Sequence, residues 1–238
     1  MISKTKFFEQ KRPFVFVNMA MTADGKIATA NRAVSSFGSK RDLQHLYELR
    51  ATADAIICGA HTIKEARAIF GNGGKKFGKL RIKNGLAEFN LRVIVSGHGS
   101  INPAAPIFKK KFSPVIVLTT ARAPEKKLMR LRAVADEVKI FGQREINFPD
   151  ALKWLRKKWK VKRLLCEGGG ELNDAFFRNR LVNELHLTIC PKIAGGRVAP
   201  TIADGIGFQK LADATRWQLK SARQCKDELF TVFSLRKK

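Results

Sequence analysis

The sequence predicts an α/β domain: a mixed, mostly parallel sheet with helices on both faces and an antiparallel C-terminal edge. Three observations carry this. Short β-rich apolar runs alternate with amphipathic helical stretches from Phe14 to Arg178. Three strand-like runs then follow without an intervening helix: Glu184 to Cys190, Trp217 to Arg223 and Glu228 to Leu235. Before them stands Glu167-Gly168-Gly169-Gly170-Glu171-Leu172, where a strand starting at Arg163 meets a helix beginning near Leu172. Glycine lets the backbone turn tightly and lets a ligand approach where a Cβ would block it. The start of a helix offers unpaired N–H groups and the positive end of its dipole, which favour a phosphate. A carboxylate at the strand's C-terminal end is placed to hold a second ligand.

The elements follow in order. Phe14 to Ala20 is a β-rich run that closes on a polar turn at Asp24-Gly25. From Ser39 to Thr52, residues Leu43, Leu46, Tyr47, Leu49 and Ala51 recur at near-helical spacing behind a serine cap. Ala55 to Gly59 is a buried-type strand, and Thr62 to Ile69 a short helix. Leu91 to Val95, Pro114 to Leu118 and Val138 to Phe141 read as strands. Pro124 to Val134 and Asn147 to Trp159 read as amphipathic helices. Gly71 to Gly85 and Pro191 to Phe208, rich in glycine, read as loops.

With 238 residues and 45% hydrophobic content, one domain over 1–238 accounts for the chain, its first twelve residues forming a flexible basic N-terminus. No run is long and apolar enough to span a membrane, and Met1 to Arg12 lacks a secretory apolar stretch. Cys58, Cys166, Cys190 and Cys225 are far apart, mostly in apolar runs, which fits reduced thiols in a cytoplasmic protein. Lys and Arg number 46 against 20 Asp and Glu, a formal +26. Such a charge attracts nucleic acid or small phosphorylated ligands. It is spread over Lys75-Lys76, Lys109 to Lys111, Lys126-Lys127, Lys157-Lys158 and Lys237-Lys238. No basic helix is long enough to fill a major groove, so solvated basic faces with nonspecific nucleic-acid binding are expected.

Several chemistries drop out. Gly71-Asn72-Gly73-Gly74-Lys75-Lys76 lacks the first Gly and the Ser/Thr of a phosphate loop of the Walker type. His45, His61, His98 and His186 form no metal-ligand spacing, and there is no Cys-x-x-Cys, so no metal is expected. No Gly-x-Ser-x-Gly elbow is present.

Five motifs in order resemble the riboflavin-biosynthesis pyrimidine reductases. They are Arg12-Pro13-Phe14-Val15 leading to Met21-Thr22-Ala23-Asp24-Gly25-Lys26-Ile27-Ala28, then Leu49-Arg50-Ala51-Thr52-Ala53-Asp54-Ala55-Ile56, and Gly59-Ala60-His61-Thr62-Ile63. The Glu167 to Leu172 turn and Pro191-Lys192-Ile193-Ala194-Gly195-Gly196 complete the set. The resemblance implies a dihydrofolate-reductase-like fold, a homodimer, and a stand-alone reductase without the deaminase domain that bacterial members often carry. It implies NADPH-dependent reduction of a 5-phosphoribosylamino-pyrimidine, deaminated or diamino, to its ribityl form. The hydride passes from the nicotinamide to C1′ of the opened ribose, with the imine as acceptor. It places Ala20, Phe37, Thr62, Gly97, Gly168, Gly169, Gly170, Glu171 and Leu172 at the cofactor. Ser35, Arg50 and Glu167 fall to the substrate, Arg50 holding its phosphate. Asp24 holds a turn.

The chain departs from that family after Thr62. Asp-Asp-Pro is usual there, and Ala66-Arg67-Ala68-Ile69-Phe70 stands in its place, with Lys75 or Lys76 as the nearest basic substitute. A reductase of another heterocycle and a non-enzymatic nucleic-acid-binding protein are the alternative readings.

Overall fold

A computed structural model describes residues 11–32, 38–66 and 68–236. Nine strands form one sheet: β1 (Phe14–Thr22), β2 (Ala55–Gly59), β3 (Leu91–Val95), β4 (Val115–Thr119), β5 (Glu137–Ile140), β6 (Arg163–Cys166), β7 (Glu184–Cys190), β8 (Trp217–Cys225) and β9 (Glu228–Leu235). Their spatial order is β5-β4-β3-β2-β6-β1-β7-β9-β8. The pairs from β5 through β7 are parallel. β9 runs antiparallel to β7 and to β8, giving the antiparallel finish read from the sequence.

The central strands are apolar on both faces, so each must be covered twice. In β1 the alternation divides the core: Val15 and Val17 face one side, Phe16 the other, all fully buried. The first side is covered by α6 (Phe148–Lys158) and α7 (Gly170–Arg178), through Leu152, Leu155, Leu172 and Phe176. Each such side chain contributes about 1.5–3 kcal/mol on burial. The second side is covered by α1 (Lys40–Arg50) through Leu49, and by Ile107 and Phe108 of the short α4 (Pro106–Lys109) with Leu131 of α5 (Glu125–Arg132).

Local signals set the helix ends. Ser39 caps α1, its Oγ accepting from the amides of Arg41 at 3.1 Å and Asp42 at 3.2 Å. The same hydroxyl donates to Glu228 Oε2 at 2.6 Å, which ties the helix start to β9. Asn147 caps α6 through Asp150 N. At the far end of α1, the carbonyls of Arg50 and Ala53 accept from two buried side chains, Arg81 and Asn90. Arg81 also donates to Ala87 O at 2.8 Å.

Differences from the sequence reading have physical causes. Within the expected loop Gly71 to Gly85 lies α3 (Lys75–Lys83). Its buried positions are Phe77, Gly78 and Arg81, so a charged residue and a glycine replace the apolar stripe that marks a helix. The helix after Gly59 is α2 (Ala60–Ala66), starting two residues earlier than expected. α7 likewise starts at Gly170 instead of near Leu172, leaving Gly168 and Gly169 as the turn. Most of the expected flexible N-terminus lies outside the described residues. Arg12, its last residue, donates to Leu181 O at 2.8 Å. No described helix is long and apolar enough to cross a membrane. Cys58, Cys166 and Cys190 are buried free thiols.

Arg81→Met should lower the unfolding free energy by about 2–4 kcal/mol, because a buried charged donor to three carbonyls is lost. Urea unfolding checks this; an unchanged midpoint would mean that Asn90 alone holds the end of α1.

Candidate active site

The strand order brings the expected ligand residues to one edge. β3, β2, β6 and β1 are parallel neighbours, so their C-terminal ends line up in that order. Gly97 follows the first, Gly59 ends the second, Glu167 to Gly170 follow the third, and Ala20 lies near the end of the fourth. Three strand spacings make this row roughly 14 Å long, enough for an extended dinucleotide. Gly59 N donates to Gly168 O at 2.8 Å and Glu167 N to Ile57 O at 3.0 Å, so the turn is bound to β2. Gly97 is held from β4, its carbonyl accepting from Thr120 Oγ1 at 2.7 Å.

Each of the three glycines has its own reason. Gly168 has φ +75°, and a Cβ there would lie 2.9 Å from Met19 Sδ. A Cβ on Gly170 would lie 2.7 Å from Thr201 O, a backbone atom that cannot yield cheaply. Gly169 differs: its Cβ would meet nothing closer than Thr62 Oγ1, at 3.9 Å. The space beside Gly169 and Thr62 is therefore a cradle that a side chain would fill. Glu171 is exposed on the first turn of α7, while Leu172 is buried in the core cluster. The side chain of Leu172 therefore faces the core, which leaves its backbone as the part turned to the strand-end edge.

The two described substrate candidates turn out to be partners. Arg50 Nε donates to Glu167 Oε1 at 2.7 Å and Nη2 to Oε2 at 2.6 Å, a bidentate pair linking the end of α1 to the end of β6. Both side chains are about nine-tenths buried, at 10% and 9% exposure. Nη1 donates to Gly71 O at 2.8 Å. The guanidinium lies 5.5 Å from the Tyr47 ring and 5.4 Å from the Phe70 ring. Burial pulls its pKa down, but the charge of Glu167 and the hydrogen bonds to it win, and the net shift is upward. The expectation of Arg50 as a free phosphate-gripping cation is thus modified: three of its five N–H groups are committed within the protein.

Other placements are plain. Asp24 accepts from Thr22 Oγ1 at 2.5 Å, Ala194 N at 3.1 Å and Gly195 N at 2.7 Å, and these bonds hold its carboxyl down to about 2. It fastens the loop after β7 to the turn after β1, the structural role expected. Ser35 and Phe37 lie outside the described residues. Burial raises the Cys58 thiol well above its usual range, and Cys166 to about 12, so neither is a nucleophile. Sequence reasoning named Phe70 and Gly59 within motifs but gave neither a place at the site. Phe70 sits in the segment that departs from the family pattern, yet it is buried under Arg50.

The unequal glycines give a test. Gly169→Ala should leave the unfolding midpoint nearly unchanged while weakening nicotinamide-cofactor binding by about 1.5–3 kcal/mol, the scale of a lost charge-assisted hydrogen bond. Gly170→Ala should instead destabilise the fold. Equal cofactor affinity in wild type and Gly169→Ala would remove this turn from the cofactor site.

Comparison with known proteins places the chain. The 2,5-diamino-6-ribosylamino-4(3H)-pyrimidinone 5′-phosphate reductase of Methanothermobacter thermautotrophicus is 31% identical over 225 residues, covering 94% of this chain and 99% of that protein. A pyrimidine reductase-like protein of Corynebacterium diphtheriae superposes with a TM-score of 0.80 at 21% identity, covering 95% and 93% of the two chains. A dihydrofolate reductase from Enterococcus faecalis, complexed with NADP(H), superposes with a TM-score of 0.51 at 8% identity, over 94% and 97%. These two structures share the fold, so the dihydrofolate-reductase-like architecture expected from the sequence is the one found. With residues 13–231 matching the RibD C-terminal domain, the chain belongs to that family.

Proposed function

We propose that this protein is an oxidoreductase of riboflavin biosynthesis that uses NADPH to reduce a 5-phosphoribosylamino-pyrimidine to the ribityl form. The observation that carries the reading is the shared edge: an open glycine cradle at Gly169 next to the buried Arg50–Glu167 pair. The named relative, similar over nearly its whole length, is a reductase of such a pyrimidinone phosphate.

The cradle fits a nicotinamide cofactor by shape, since backbone can approach a phosphate only where no Cβ stands. Gly168, Gly169 and Gly170, with the first turn of α7, would hold the cofactor's phosphates, and Gly97, Thr62 and Ala20 would flank it. When bound, that cofactor supplies the hydride. The chain supplies binding and orientation. Glu167, held by Arg50, keeps its carboxylate as an acceptor for substrate hydroxyl or amine protons. Arg50 fixes the direction of that carboxylate and offers its two remaining N–H groups to the substrate. Net charge +26 draws a phosphorylated substrate towards the protein.

We also place the protein in the cytoplasm, a reading supported by its free thiols, and as a homodimer. β8 ends the sheet with an open edge, and Leu211 and Leu219, before and within it, are exposed. Light scattering tests the dimer.

The direct test follows NADPH oxidation with each of the two phosphoribosylamino-pyrimidines, diamino and deaminated. Turnover of neither, together with tight salt-sensitive RNA binding, would replace this reading with the nucleic-acid one. For the enzyme, kcat/KM should fall several-fold between ~20 and ~200 mM salt while kcat changes less, as electrostatic steering requires. Glu167→Gln should abolish most turnover with cofactor affinity retained. It should also lower stability by about 3 kcal/mol, because Arg50 stays buried without its counter-charge. Near-normal activity in that variant would remove Glu167 from the substrate site.

A further inference from the structure

At the N-terminal ends of β1 and β7, the length of β1 away from the strand-end edge, lies a cleft of about 440 Å³. Lys11, Arg12, Pro149, Lys153, Leu181 and Asn183 line it. Three parts of the chain meet there: the entry to β1, the residues before β7, and the first turns of α6. Register sets the first two side by side, since Asn183 N donates to Val15 O at 2.8 Å and Phe16 is level with Glu184. The volume falls in the range of small-molecule pockets and is far more than a bare phosphate fills.

The side-chain polar groups left over in this cleft are donors. Asn183 Oδ1 accepts from Val15 N at 2.9 Å and from Arg12 Nη1 at 3.3 Å, which fixes the amide's orientation and leaves its NH2 group unspent. Arg12 spends only Nη1 within the described protein, on Pro13 O, Leu181 O and Asn183 Oδ1, so Nε and Nη2 remain. Burial lowers the pKa of this half-buried guanidinium, and no acidic group acts to raise it. Lys153 Nζ meets Asp150 Oδ1 at 3.0 Å, but both side chains are more than half exposed, and such a surface pair is worth little. The start of α6 takes no part: Pro149 has no N–H, and Asp150 N is held by Asn147 Oδ1. A guanidinium without a counter-charge, flanked by two ammonium groups and an amide, suits an anion with several acceptor oxygens. Leu181 and Pro149 add an apolar wall for an organic group attached to it. We propose that this cleft is a second ligand site, which binds the phosphate of a small phosphate monoester of mononucleotide size through Arg12, Lys11, Lys153 and Asn183. Nε and Nη2 of Arg12 pair with two phosphate oxygens, and the organic part lies on Pro149 and Leu181. No residue of the strand-end edge contributes, so the site does not depend on the reductase reading.

The experiment titrates adenosine 5′-monophosphate, inorganic phosphate and adenosine into the protein by calorimetry. Wild type should bind the monophosphate saturably, about tenfold or more tighter than phosphate, and adenosine not measurably. The double variant Lys11→Glu/Lys153→Glu should weaken that binding by about tenfold or more, because both ammonium groups at the phosphate become carboxylates. Lys157→Glu/Lys160→Glu changes the net charge equally from the far end of α6, and should stay within about threefold of wild type. Gly169→Ala narrows the strand-end cradle and should leave the monophosphate affinity as it is. Arg12→Lys keeps the charge but loses the fork, and should weaken binding by about tenfold with the unfolding midpoint as its check. It also serves if the first double variant does not fold. Equal losses in the two double variants mean a general field and overturn the proposal. A loss in Gly169→Ala without one in Lys11→Glu/Lys153→Glu places the ligand at the strand ends and overturns it too. So does phosphate or adenosine binding as tightly as the monophosphate, or no saturable binding at all.

Discussion

The buried Arg50–Glu167 pair is the constraint around which the rest of the edge is arranged. A lone carboxylate at the end of β6 would sit largely out of water, at a cost of several kcal/mol. Arg50 offsets this with two parallel hydrogen bonds of 2.6 and 2.7 Å. Such a pair works only if its geometry is fixed, and here the backbone fixes it. The carbonyl of Arg50 is gripped by Arg81 and Asn90, and Glu167 N is bonded to Ile57 O. The faces of the guanidinium meet Tyr47 and Phe70, and its last committed N–H holds Gly71. An acceptor needed at the strand end thus explains a helix terminus, a loop and two aromatic contacts.

On the other side of the glycine turn, the closing device is built from backbone. The segment after β7 crosses to α7: Asp204 N donates to Gly170 O at 3.1 Å, and Asn173 Nδ2 donates to Ile202 O at 2.9 Å. Its other end is stitched to the β1 turn by Ile27 N to Pro200 O and by Asp24. Gly170 has no room for a side chain because this segment lies on it. Gly169, one residue away, faces open space. The same run of three glycines therefore serves packing at one position and leaves open space at its neighbour.

Much of this fold was legible because its strands are buried on both faces. Ala55 to Gly59, Leu91 to Val95 and Glu184 to Cys190 were read with the bounds they have. α3 was not legible, since Arg81 occupies a core position and satisfies itself on carbonyls instead of apolar neighbours. The site was legible as types of residue, not as contacts. Arg50 and Glu167 are 117 positions apart, and nothing local in either motif says that the two charges neutralise each other. Ser35 and Phe37, named from resemblance, lie outside the described residues and stay proposals.

Charge acts at two separate depths in this protein. Most of the 46 basic residues belong to the surface, where salt screens them and where they influence encounter more than recognition. Arg81 and Arg92 are different: both are almost fully buried, and the hydrogen bonds that hold them run to backbone carbonyls. Burial draws each guanidinium down to about 10, which still leaves it charged at neutral pH. They anchor the end of α1 and the loop before β4. The Arg50–Glu167 pair at the strand ends, in contrast, is neutralised and adds no net positive charge. A surface that attracts anions in general can thus coexist with a neutralised, buried pair at the strand ends, because the two operate in different dielectric environments.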